Sequence, residues 1–232
     1  MEALVEAQEL LLRFQSKPWP ITLESISRTL KEEDSACRFR HPLSEHYAAR
    51  NPFEPLSGRT FLERRHIESI SLAFEDTLNY PGYSGICEFL QYTAECLTGR
   101  SLGVRQSQVA VIPDNQGYSV TFIKSSEVRR ALITLWQYLV DSFGNQVSIF
   151  RASTAAIGLM NCHPFVDGNG RLARALFNVL TARTTQTYIP LYDFYNCTPG
   201  GHVLRIRQAE LFGDWDDWIR FHCDIISFMA NK

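Results

Sequence analysis

The sequence contains no apolar run long enough to cross a bilayer. The longest near its start is Leu10-Leu11-Leu12, against the ~20 residues that a membrane helix needs. A secretory leader is not expected, because Glu2, Glu6 and Glu9 stand where such a leader carries positive charge. No Cys-x-x-Cys pair occurs. Cys37, Cys87, Cys96, Cys162, Cys197 and Cys223 are scattered through apolar or mixed segments, so the paired spacing of a structural zinc site is absent. Unpaired small thiols suit a reducing compartment, and the expected location is cytoplasmic. Charge of one sign does not dominate. The 23 Lys and Arg against 25 Asp and Glu leave a net −2, which excludes bulk attraction to nucleic acid or to an anionic membrane. There is no repeat and no low-complexity tract. What remains is a chain of 232 residues, 45% hydrophobic and 21% charged. That composition is ordinary for a folded domain, and the length buries a substantial core.

The order of elements reads as mainly α. Residues 2–16 carry Leu4, Leu11 and Phe14 at helical spacing. Pro18 and Pro20 interrupt, and Thr22 caps a second expected helix through Glu33. Residues 40–58, with Pro42, Pro52, Pro55 and Gly58, read as a linker. It divides an N-terminal helical extension, residues 1–60, from a main domain, residues 61–232. Helices are expected over 61–78 and 84–98. Two strands, 108–112 and 118–123, flank the turn Pro113-Asp114-Asn115-Gln116-Gly117. Ser125 or Ser126 caps a helix carrying Val128, Leu132, Leu135, Trp136 and Leu139. Residues 147–162 are apolar or small on every side, so that helix should be central. Further helices are expected over 170–183 and 215–229.

Chemistry concentrates at the end of the central helix, in His163-Pro164-Phe165-Val166-Asp167-Gly168-Asn169-Gly170-Arg171-Leu172-Ala173-Arg174. The first turn of a helix leaves unpaired backbone N–H groups. Gly168 and Gly170 let the backbone approach a ligand closely, and loop amides with a helix N-terminus form an anion site. Arg171 and Arg174 lie three apart on one helix face and can both reach a polyphosphate. Asp167 is a hard oxygen ligand of the kind that holds Mg²⁺ beside phosphates. His163 can take a proton near neutrality. Taken singly, Asp-Gly and Asn-Gly are ordinary turn dipeptides. Taken together, the residues fit phosphoryl-type transfer, where catalysis is mostly positioning and charge stabilisation.

This string resembles, without a mismatch, the Fic family signature His-Pro-Phe-x-[Asp/Glu]-Gly-Asn-Gly-Arg-x-x-Arg. The likeness extends over about residues 61–232. It includes Arg105, Val109, Gly213-Asp214-Trp215 and Trp218-Ile219. The resemblance implies a Fic fold, a central helix-loop-helix in a helical bundle with one β-hairpin flap. It further implies a protein adenylyltransferase that moves AMP from ATP to a Tyr, Thr or Ser hydroxyl of a target protein. His163 would be the general base and Asp167 the Mg²⁺ ligand. Gly168, Asn169 and Gly170 would form the anion hole, Arg171 would bind the β-phosphate and Arg174 the γ-phosphate. Phe165 would anchor the loop, and hairpin 108–123 would dock the target by strand addition. Doc-type kinases carry Lys at the position of Gly170, which disfavours phosphorylation.

Two features depart from the family pattern. Asn196-Cys197-Thr198-Pro199-Gly200-Gly201 stands where relatives carry tyrosines near the base, so an open base pocket and weak nucleotide selectivity are expected. The family's inhibitory pattern, [Ser/Thr]-x-x-x-Glu-[Gly/Asn], is approached by Ser71 to Glu75, with Asp76 in the last position, and by Thr29 to Glu33. Glu75 is the expected partner of Arg174, and Glu33 the next candidate. Removal of AMP from a modified protein, and a silent protein-interaction module, are the alternative functions. Partners outside the target protein and ATP are not expected, with neither nucleic acid nor membrane among them; homo-oligomer formation stays open.

Overall fold

The computed structural model describes residues 2–44, 58–80, 82–110, 121–141, 147–198 and 200–231. The described residues are mainly helical. An N-terminal group comprises α1 (Glu2–Arg13), α2 (Leu23–Leu30) and α3 (Glu33–Cys37). The long α4 (Gly58–Thr77) and α5 (Tyr83–Thr98) follow, then α6 (Ser125–Asp141), α7 (Ile149–Cys162) and α8 (Asn169–Leu180). Then α9 (Leu191–Asn196) and α10 (Gly201–Phe212), which like α3 the sequence pattern did not suggest, precede α11 (Asp216–Ala230).

Helix α7 is central, as its composition requires. Ser148 caps it by accepting from Arg151 N, and Ala152, Ala155 and Ala156 are fully or nearly fully buried. Small side chains let α8 lie close along it, and residues 172–180 of α8 are all buried. Helices α4, α5, α6 and α11 pack around this pair. Helix α8 stops at Leu180, three residues short of the expected end. Ala182 turns left-handed at φ 53°, and Asn178 takes the carbonyls of Arg174 and Ile189 at 3.0 and 3.1 Å, pinning the exit strand of chain beside the helix.

Residues 2–44 share the same hydrophobic core as the rest of the chain. Helix α1 packs along α11. Arg183, at the end of the α8 turn, donates to the Phe14 and Leu11 carbonyls, both at 3.1 Å, and so closes the C-terminus of α1. Phe39 lies edge-on to Phe194, Phe221 and Phe228. The Trp19 indole donates to the Thr187 carbonyl at 2.7 Å.

The expected hairpin is reduced. Among the described residues there is no strand, only an antiparallel bridge between Ala110 and Thr121 and a bond from Phe122 N to Val109 O at 3.2 Å. The turn at 113–117 lies outside the described residues. A bridge of this size satisfies few backbone groups, so the segment depends on side-chain anchors for its position.

His222 on α11 is wholly buried. Its Nε2 meets the Tyr195 hydroxyl at 2.8 Å, and its ring stacks on Phe177 with centroids 4.7 Å apart. Burial pushes its pKa down to about 3. A folded-state pKa below the unfolded ~6.5 means that the unfolded chain takes up a proton the folded chain refuses. The stabilisation is therefore complete above pH ~6.5 and drains away as pH falls. Chemical denaturation at pH 7 and pH 5 should differ by about 2 kcal/mol from this group, and His222→Gln should flatten that dependence. A wild-type stability that stays level from pH 7 to pH 5 would contradict the assignment.

Candidate active site

Helix α7 ends at His163, whose backbone is left-handed at φ 45° and ψ 60°. Pro164 disfavours a helical residue before it, and a left-handed non-glycine residue persists only when its surroundings hold it there. Arg105 supplies that hold. Its Nε donates to His163 O at 2.7 Å, and Nη2 reaches Cys162 O at 3.4 Å. Nη2 also donates to Ile123 O at 2.6 Å, and Nη1 to Ser107 O at 3.0 Å. The Arg105 amide closes the cluster on Pro164 O at 2.8 Å. One buried guanidinium thus joins the end of α7 to Ser107 and to Ile123. The sequence marked Arg105 only as part of the family likeness; its partners lie far away in the chain.

The loop is held by its own side chains. Phe165 is fully buried, and the Asn169 side chain clasps it, accepting from Phe165 N at 3.1 Å and donating to Phe165 O at 2.8 Å. The Asn169 carboxamide is therefore committed to the loop, and only its backbone N–H faces a ligand position. Gly168, at φ 86°, makes the left-handed entry to α8. A side chain there would be strained in that conformation and would meet Thr98 Cγ2 at 3.1 Å. The first helical bond is Leu172 N to Gly168 O, so the amides of Asn169, Gly170 and Arg171 have no intrahelical acceptor, an arrangement whose chemistry suits an anion.

Asp167 accepts from Gly168 N at 2.7 Å and from Arg171 Nη2 at 3.1 Å, while its side chain stays 73% exposed. Arg171 also donates to Leu97 O at 2.9 Å, which fixes it against the end of α5. His163 holds Nδ1 3.2 Å from Met160 O. A carbonyl only accepts, so Nδ1 carries the proton and Nε2 keeps its lone pair. Burial lowers the pKa of His163, which keeps the ring neutral near pH 7. Phe122 stacks on that imidazole, with centroids 3.7 Å apart and planes 13° from parallel. Nothing in the sequence pattern pointed to Phe122.

Arg174 is buried, and a carboxylate already occupies it. That carboxylate belongs to Glu63, not to Glu75. Arg174 Nε lies 3.2 and 3.1 Å from the two Glu63 oxygens, and Nη2 donates to Oε1. Tyr188 donates its hydroxyl to Glu63 Oε2 at 2.8 Å. Burial alone works against the Arg174 charge, but the Glu63 carboxylate outweighs it and raises the pKa. Glu63 lies on the face of α4 that also buries Ile67, Ile70 and Phe74. Glu75 is twelve residues further on, about 18 Å along the axis and about a third of a turn round it, so one helix cannot bring both to the same arginine. Glu75 is exposed, and with Ser71 it borders a separate cavity of about 480 Å³ that Arg151 and Arg183 also line. Ser71 returns its hydroxyl to Ile67 O on its own helix, at 2.9 Å. The side chain of Glu33 lies outside the described residues.

The glycines at 200 and 201 have a local reason. Gly200 makes the left-handed entry to α10 at φ 68°. A Cβ on Gly201 would meet Thr198 Oγ1 at 2.5 Å and Phe39 O at 3.3 Å. Phe39 comes from the N-terminal segment, so this region is closely packed and not the open pocket that the missing tyrosines suggested. A small space behind Gly170 and Arg174, lined by Met160, Tyr195, His202 and Trp218, measures about 70 Å³. Among the described residues no cluster of three metal-ligating side chains occurs, and no helix is long and apolar enough to cross a membrane.

Fold and site together define a helical protein whose central helix-loop-helix presents unpaired backbone amides at the start of α8 beside a neutral histidine. Residues 86–181 match the model of the Fic/DOC family, so that segment is similar to a family whose members commonly transfer AMP. No curated protein matches the chain. Among solved structures, a Fic family protein from Desulfovibrio desulfuricans G20 aligns with a TM-score of 0.60 at 13% identity, covering 99% of this chain and 72% of that one. A Fic domain containing signaling protein from Bacteroides thetaiotaomicron aligns at 0.54 and 14% identity, covering 97% and 92%. Fic-1 from C. elegans aligns at 0.50 and 18%, covering 98% and 70%. At such identities the likeness shows the fold.

Proposed function

We propose that the protein transfers AMP from ATP to a Tyr, Thr or Ser hydroxyl of a protein target, and that Glu63 restrains this activity. The observation that carries the reading is the buried Glu63–Arg174 pair. It seats a carboxylate on the arginine that the family resemblance assigns to the γ-phosphate. His163 Nε2 takes the proton of the target hydroxyl, whose oxygen attacks the α-phosphorus. The bond from that phosphorus to the bridging oxygen breaks, and pyrophosphate leaves. The amides of Asn169, Gly170 and Arg171 bear the anionic charge, and the Arg171 side chain holds the β-phosphate. Asp167 offers an exposed carboxylate beside this nest, a hard-oxygen donor that suits Mg²⁺ completed by phosphate oxygens. A bound Mg²⁺ would there neutralise charge on the polyphosphate. The limbs of 108–123, tied by Arg105 to the loop, would seat the target segment.

With Glu63 in place, the γ-phosphate has no cation to receive it. ATP would then bind with its tail displaced, and a small misalignment of this kind costs about 10²-fold in rate. Intact mass after incubation with Mg²⁺ and ATP, GTP, CTP or UTP in turn tests the reading. The expected product is a single added nucleoside monophosphate, slow in wild type. A gain of phosphate alone, or no adduct from any nucleotide even after Glu63 is replaced, would overturn it.

A further inference from the structure

We propose that Phe122 is a positioning residue for His163, a ring that fixes the plane of the imidazole so that the 108–123 segment aligns the base. The inference rests on the reading of His163 as the base.

The ring of a histidine turns about a broad torsional well. One hydrogen bond, from Nδ1 to Met160 O at 3.2 Å, locates one edge of the imidazole and leaves it free to pivot about that contact. A near-parallel ring 3.7 Å away removes the pivot. Phe122 can do this because its own backbone is held on all sides. Its amide donates to Val109 O at 3.2 Å, its carbonyl accepts from Gln108 Nε2 at 2.7 Å, and Arg105 holds the next carbonyl, Ile123 O, at 2.6 Å. Successive side chains of an extended segment point to opposite faces. Ile123 accordingly packs against the hydrophobic core, and Phe122, half-buried, does not belong to it. The side chain that stays out of the core is the one spent on His163. The segment thus reaches the base by two routes, a guanidinium on its backbone carbonyl and a phenyl ring on its side chain. A target strand pairing with the segment would meet a base whose plane that same segment has set.

The test compares Phe122→Leu, which stays apolar but loses the plane, with Phe122→Tyr, which keeps it, both in the Glu63→Ala background. Phe122→Leu should lower kcat for transfer by about 10-fold to 100-fold with KM for ATP unchanged, and Phe122→Tyr should restore it. The His163 ring-proton resonances of the nucleotide-free protein give an independent reading. They should move downfield in Phe122→Leu as the ring current of the stacked phenyl is lost, and stay in place in Phe122→Tyr. Unchanged kcat in Phe122→Leu, or unmoved resonances, overturns the proposal. If the background itself transfers no nucleotide, the functional reading fails, and the resonances alone then decide whether Phe122 sets the imidazole.

Discussion

Glu63→Ala should raise nucleotide transfer by about 10²-fold over wild type, the rate that misalignment of the polyphosphate costs. Alanine keeps the helical propensity of α4 and removes only the carboxylate. The change has a second, opposite consequence. Arg174 is buried, and a buried charge that loses its partner destabilises a fold by about 3–5 kcal/mol. The Tyr188 hydroxyl loses its acceptor as well. The variant should therefore melt lower than wild type without nucleotide. Because the γ-phosphate offers Arg174 the anion it has lost, ATP with Mg²⁺ should raise the melting temperature more in Glu63→Ala than in wild type, while AMP should not. Glu75→Ala, by contrast, should leave transfer at the wild-type level, since Glu75 faces solvent on another side of the helix. If Glu63→Ala melts low, gains nothing from ATP and transfers no faster, the pair is structural and the restraint does not exist.

Replacing His163 should have the reverse effect on chemistry with little effect on binding. In the Glu63→Ala background, loss of the base should lower transfer by about 10²- to 10⁴-fold. Nucleotide binding should persist, because the amide nest, Arg171 and Arg174 do not depend on the imidazole. His163→Asn is the preferred substitution, since asparagine tolerates the left-handed backbone that His163 adopts and carries no base. The pH dependence has a defined sign. Burial lowers the His163 pKa in the nucleotide-free protein, so the neutral form prevails at pH 7, and the acid limb of kcat/KM, which reports the free enzyme, should lie below the ordinary histidine value of ~6.5. An asparagine variant at full activity, or an acid limb at or above 6.5, counts against His163 as the base.

How much of this could be read from the chain depends on the range over which each feature is encoded. The loop at 163–174 was legible because its chemistry is local. The anchoring of Phe165 by Asn169 and the nest at the start of α8 follow from neighbouring residues. Helix α4 was legible too, but the residue on it that meets Arg174 was not. A short pattern at Ser71 to Glu75 drew attention to the wrong turn. The register itself held a better signal, because Glu63 recurs with Ile67, Ile70 and Phe74 on the buried stripe, where a carboxylate needs a partner. Helix α9 is only six residues long, between Pro190 and a right-handed Cys197, and α10 is bounded at both ends by left-handed glycines, Gly200 and Gly213, so periodicity did not reveal them. Arg105 and Phe122 act across the fold, and no spacing rule connects them to His163.

Arg105 carries one more consequence, for which substitutions this architecture tolerates. Its three nitrogens point in fixed, divergent directions and reach four carbonyls on three separate stretches of chain. The carbonyls need donors in that spread, and the positive charge is secondary. A lysine would keep the charge, but it offers its donors from a single point at the end of a flexible stem. It could satisfy one stretch of chain only by abandoning the others. The position is thus open to no charge-preserving exchange, although it touches neither the proposed nucleotide nor the proposed target.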